Sequence, residues 1–104
     1  MTELLLNAIE AVASARRHLA AGSLRPCSRE IERAWGILQD LSQSISPSVR
    51  SELRCDLKSI FSYLQTRLME AKSQRSARVL EEVESLLIAL HRGWQLNQKL
   101  SFAV

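Results

Sequence analysis

The sequence predicts an all-α protein, an antiparallel up-down-up-down four-helix bundle, and three observations carry that expectation. Turn residues are scarce: 104 residues hold three glycines and two prolines, too few for the turns that a β-sandwich or barrel needs every ~8–12 residues. Apolar residues recur at three- and four-residue steps, which is the repeat of one face of an α-helix. Breaking and capping residues fall at Gly22-Ser23, Ser46-Pro47 and Ser76, dividing the chain into four segments. At this length the chain has room for one domain, residues 1–104. Its 46% hydrophobic and 24% charged residues are ordinary globular composition.

The first helix is expected over residues 3–21, where alanine and leucine, both strong helix formers, dominate. Leu5, Ala8, Ile9, Val12, Ala15 and Leu19 share one face. Gly22 suits the left-handed residue after a helix, Ser23 can cap the next one, and Pro26 falls in a first turn whose N–H groups lack helical partners anyway. The second helix, 24–45, carries a heptad seam of Cys27, Ile31, Ala34, Leu38, Leu41 and Ile45. Ser46 as cap and Pro47 at the first position open the third, 47–72. Its buried stripe is read as Val49, Leu53, Leu57, Ile60, Leu64, Leu68 and Ala71. Ser76 caps the fourth, 77–96, with Val79, Leu80, Val83, Leu86, Leu87, Leu90 and Trp94 as its apolar set. Short loops make sequential helices antiparallel. Residues 97–104 receive no element, although Leu100, Phe102 and Val104 alternate as a segment that docks or frays would.

Catalysis finds no support. His18 and His91 have no ligand-type neighbour three or four residues on, and no Glu-x-x-His pair of the metallo-bundle kind is present. Glu81, Glu82 and Glu84 lie early in the fourth helix, where negative charge complements the helix dipole. The expectation is a protein that is not an enzyme and uses no metal or cofactor. No apolar run reaches the ~18 residues of a membrane span. The apolar N-terminal stretch has no preceding Lys or Arg and is broken by Glu3, Asn7 and Glu10, so it is not read as a signal peptide. Cys27 and Cys55 show no metal or redox spacing, which points to a reducing cytoplasm. The net charge of +3 includes two ladders, Arg25/Arg29/Arg33 and Arg50/Arg54/Lys58. They fall at opposite ends of the bundle, lack interleaved aromatics and are partly offset by Glu30, Glu52 and Asp56, so they read as solvated faces and not as a nucleic-acid footprint.

The informative oddity is surplus apolar surface, because a bundle helix needs roughly three core positions per heptad. Trp35, Ile37, Phe61, Tyr63, Met69 and Ile88 fall off the seams. They signify either a thick core or an exposed groove that receives partner helices. On the groove reading, the contact residues are Trp35, Ile37, Phe61, Tyr63, Leu86 and Ile88.

From Ile60 to Trp94 the chain resembles the FliS family of flagellar export chaperones. That pattern runs Tyr-x-Tyr-x-x-x-Arg-Leu-x-Glu-Ala-Asn, a short linker, then Leu-Glu-Glu-Val-x-x-Leu-Leu-x-x-Leu-Arg-x-x-Trp. Tyr63, Arg67, Leu68, Glu70 and Ala71 match, as do Leu80, Glu81, Glu82, Val83, Leu86, Leu87, Leu90 and Trp94. Phe61 replaces the first tyrosine and Lys72 the asparagine. Upstream, Ala8, Ile9, Ala34, Ile37, Leu38 and Leu41 fit the family's first two helices. The resemblance implies a cytoplasmic chaperone that binds the disordered C-terminal segment of flagellin, blocks premature polymerisation and aids delivery to the type III export apparatus, with export-gate components as further partners. Neither nucleic acid nor membrane insertion is implied. Family members carry an N-terminal arm with a tyrosine and a Leu-Tyr-Asp-Gly element in the first helix, whereas Leu5-Leu6-Asn7 stands where Tyr-Asp-Gly is expected. The chain therefore reads as N-terminally shortened and diverged. An open groove would favour self-association into a homo-oligomer, and the alternative function is a structural or regulatory bundle with no flagellin client.

Overall fold

Four helices follow one another in the computed structural model, which describes the backbone of residues 1–103 and the side chains of residues 1–96: α1 (Thr2–Ala20), α2 (Leu24–Gln43), α3 (Ser51–Gln74) and α4 (Ala77–Ala103). The side chains of Leu100, Phe102 and Val104 lie outside the described residues. Each helix packs on two others, α1 on α2 and α4, and α3 on α2 and α4, which closes a four-membered ring. Cross-helix ion pairs report the directions. Arg16 near the end of α1 meets Glu84 near the start of α4 at 3.2 Å, and Lys72 near the end of α3 meets Glu32 of α2 at 2.7 Å. The α1–α2 and α3–α4 turns therefore share one end of the bundle, and the α2–α3 connection lies at the other.

Two boundaries follow the expected chemistry. Gly22 takes the left-handed conformation, φ +77°, that ends α1. The Ser76 hydroxyl accepts the Val79 N–H at 3.3 Å at the start of α4. Ser23 precedes α2 but makes no side-chain cap; its carbonyl accepts the Cys27 N–H instead.

The third boundary corrects the sequence reading. α2 ends at Gln43, α3 begins at Ser51, and residues 44–50 connect them. Ser46 and Pro47 do not open a helix. The Val49 N–H donates to the Ser46 carbonyl at 3.1 Å, and the Ser48 N–H donates to the Ser46 hydroxyl at 3.2 Å. The fixed φ of proline suits the second position of such a β-turn as well as it suits a helix start. The serine's local hydrogen bonds then favour the turn.

The core is a single cluster with no buried polar side chain among the described residues. α1 contributes Leu5, Val12 and a run of small residues, Ala8, Ala11 and Ala15; Ala34 faces in from α2. Small side chains let backbones approach, and among the described residues the α1–α2 packing is the most extensive of the four helix pairs, while α3–α4 is the sparsest. α3 buries Leu57, Phe61, Leu64, Leu68 and Ala71, and α4 buries Val79, Leu80, Val83 and Leu87. Phe61, expected at a groove, is 1% exposed and among the largest fully buried side chains. The core seam of α3 runs through 57, 61, 64 and 68, not through Ile60.

Candidate functional site

Where α3 and α4 pack most sparsely, an apolar groove with a cavity volume of about 710 Å³ runs between the first half of α3 and the later part of α4. Leu53, Leu57, Ile60 and Tyr63 form one wall; Leu86, Ala89, Leu90, Gly93 and Trp94 form the other. Leu53, Ile60, Leu90 and Trp94 are half-buried against the core, so each presents part of its apolar surface outward. Gly93 leaves space in the wall, since a Cβ there would meet no atom within 4 Å.

One rim of the groove is fixed by a polar clamp between α3 and α4. Glu82 accepts the Tyr63 hydroxyl at 2.5 Å through Oε1 and the Arg67 Nη2 at 2.7 Å through Oε2, and Arg67 also pairs with Glu70. The hydrogen bond from Arg67, then that from Tyr63, holds the Glu82 carboxyl below the usual carboxylate range. The bond to Glu82 pushes the Tyr63 phenol up, and Glu82 with Glu70 raises the Arg67 guanidinium. All three groups thus favour the protonation states that make the clamp, which holds the Tyr63 ring in the groove wall.

Of the six expected contact residues, the structure brings two together here, Tyr63 at 48% exposure and Leu86 at 37%. Trp35 is exposed elsewhere, on the α2–α3 face, where its carbonyl accepts the Gln65 side chain at 3.2 Å. Ile37 and Ile88 are half-buried and outside the groove wall, Ile37 packing on the core. Phe61 is core. Sequence reasoning missed Leu53, Ile60, Leu90 and Trp94 as groove residues by assigning all of them to buried stripes. Gly93, a helix-weakening residue beside a tryptophan, is the signal that could have found the wall.

The early carboxylates of α4 also play a different part from the one expected. The first turn of α4 contains no acidic residue. Glu81 and Glu84 pair with Arg16, and Glu82 forms the clamp. Among the described residues no group of three or more His, Cys, Asp or Glu is placed to hold a metal ion. Cys27 is buried, which raises its thiol pKa, and Cys55 is exposed; both are free. No described helix is long and apolar enough to cross a membrane.

Such a groove offers shape and apolar area, with burial of one Leu- or Phe-sized side chain worth about 1.5–3 kcal/mol. Fold and groove together describe a four-helix bundle with an open apolar groove. The family model described as "Flagellar protein FliS" matches residues 1–100, and the chain belongs to the FliS family. It is 28% identical over 91 residues to the flagellar secretion chaperone FliSB of Pseudomonas aeruginosa, an alignment covering 88% of this chain and 72% of the relative. It is likewise 28% identical over 105 residues to the flagellar secretion chaperone FliS of Salmonella typhimurium, covering 98% and 78%.

Proposed function

We propose that this protein is a cytoplasmic, non-enzymatic export chaperone that binds the disordered C-terminal segment of flagellin in the α3–α4 groove, using no metal or cofactor. The observation that carries the reading is the open apolar groove on a bundle whose family includes named flagellar secretion chaperones. A disordered segment folds as it binds, laying the apolar side of a helix or extended stretch against Leu53, Ile60, Leu86, Leu90 and Trp94. Tyr63, oriented by Glu82, borders that contact, and Trp35 on the neighbouring face is a second anchor for a segment that continues past the groove. Masking the client's apolar surface keeps it from polymerising before delivery to the type III export apparatus and its gate components.

Calorimetric titration with the C-terminal segment of the host's flagellin tests this directly. Tight binding with a large negative heat-capacity change is expected, the mark of coupled folding against apolar surface. Leu86→Asp should weaken binding by about tenfold or more, since it places a charge in the apolar wall, while circular dichroism keeps its helical signature. No binding by a folded protein would remove the flagellin assignment and leave the bundle. The exposed Leu86 and Tyr63 also suit a self-associating bundle without a client. Sedimentation showing a dimer that Leu86→Asp abolishes, with no flagellin binding, would establish that reading instead.

A further inference from the structure

At the end of the bundle that carries the α1–α2 and α3–α4 turns, charges do not balance. Glu30, Glu32, Glu70, Glu81, Glu82 and Glu84 are each already engaged, with Arg33, Lys72, Arg67 or Arg16. Arg17, Arg25, Arg29, Arg75 and Arg78 remain, all exposed and none in an ion pair among the described residues. The second ladder, Arg50, Arg54 and Lys58, lies near the other end and is interleaved with Glu52 and Asp56.

Helix stability does not explain the arginines. Arg25 and Arg78 are the second residues of α2 and α4, whose first turns contain no acidic residue. Positive charge at those positions opposes the helix dipole. Arg75 occupies the left-handed C-cap of α3 at φ 52°, a conformation that favours glycine. Of the five, Arg17 alone has a dipole rationale, in the last turn of α1.

The same end holds a notch of about 420 Å³ in which Leu19, Leu24, Cys27 and Met69 lie beside Lys72 and Arg75. Leu24 and Met69 are both 38% exposed. Arg25 and Arg29 flank an adjoining depression that shares Leu24 and Ser28 with the notch.

We propose that this basic pole docks an acidic amphipathic segment of a partner protein, its apolar side chains entering the notch and its carboxylates meeting Arg25, Arg29 and Arg75. Charge complementarity requires an acidic partner because the pole has no free carboxylate to offer. The notch favours a polypeptide: a nucleic acid would leave it unfilled, and no aromatic side chain lines either depression for a base to stack on. The α3–α4 groove lies towards the opposite end, so the two sites can be occupied together. The proposal stands whether or not flagellin is the client.

Fluorescence anisotropy on the full chain tests it, with a labelled helical peptide bearing leucine on one face and glutamate on the other. The peptide should bind, and weaken as salt rises. The exposed-site variant Arg25→Ala/Arg29→Ala/Arg75→Ala should lose affinity by about tenfold or more, while Arg50→Ala/Arg54→Ala/Lys58→Ala should stay within about twofold of the parent. Leu24→Ser should lower affinity without loss of helicity. Equal loss in both triple variants would reduce the effect to net charge and overturn the proposal. So would absence of binding, or tighter binding of single-stranded DNA or phosphatidylglycerol vesicles than of the peptide.

Discussion

Phe61 and Tyr63 stand two residues apart on α3, and that spacing alone sends them to different environments. Residues two apart on a helix point to nearly opposite sides, so one fills the core and the other borders the groove. Two seams overlap on α3, one through Leu53, Leu57, Ile60 and Leu64 and one through Leu57, Phe61, Leu64 and Leu68, and both satisfy a heptad. Periodicity could not choose between them; contact with α2 and α4 does, and Leu53 and Ile60 of the unchosen seam line the groove. Phe61→Ala should therefore destabilise the fold by about 3–5 kcal/mol in chemical denaturation. Tyr63→Phe should keep the fold and the apolar ring but lose the tether to Glu82. The clamp also has a pH signature. The folded-state pKa of Glu82 is depressed, so its contribution is present above the ordinary carboxylate pKa and is lost as pH falls through the depressed value. Thermal melts from neutral to acid pH should show the wild type losing more stability than Glu82→Gln.

At the scale of the elements, the helices were legible because caps and periodicity agree: Gly22 and Ser76 mark ends, and the seams of α1 and α2 are buried nearly as read. The α2–α3 connection was not, because Ser-Pro is compatible with both a helix start and a β-turn, and only the hydrogen bonds around Ser46 decide. The groove was half legible. Surplus apolar residues announced it, but its position depends on where two helices pack sparsely, which no single helix encodes. Gly93 offers a test within α4. Gly93→Ala should raise stability by about 0.5–1 kcal/mol through helix propensity, because the added methyl meets open space. Gly93→Leu should fill the groove and reduce client binding while the melting temperature is retained.

For the whole molecule, charge and apolar surface divide along the long axis. Arg17, Arg25, Arg29, Arg75 and Arg78 gather at one end, where every carboxylate is already paired, and the open groove runs between α3 and α4 towards the other. Residue counts could not show this division. The sum of +3 is unremarkable, and only the pairing of each acid at the two-turn end leaves five arginines without a neutralising carboxylate. Packing divides the molecule crosswise as well, with the alanine-lined α1–α2 contact extensive and α3–α4 sparse. Native-state hydrogen exchange should find its slowest amides in α1 and α2, and bound client should add protection chiefly in the first half of α3 and in α4. The run of Ala8, Ala11 and Ala15 then has a mechanical meaning. It lets α1 and α2 approach closely while the opposite seam packs less, so the groove wall is expected to adjust its width to side chains of different bulk while the α1–α2 side keeps its shape.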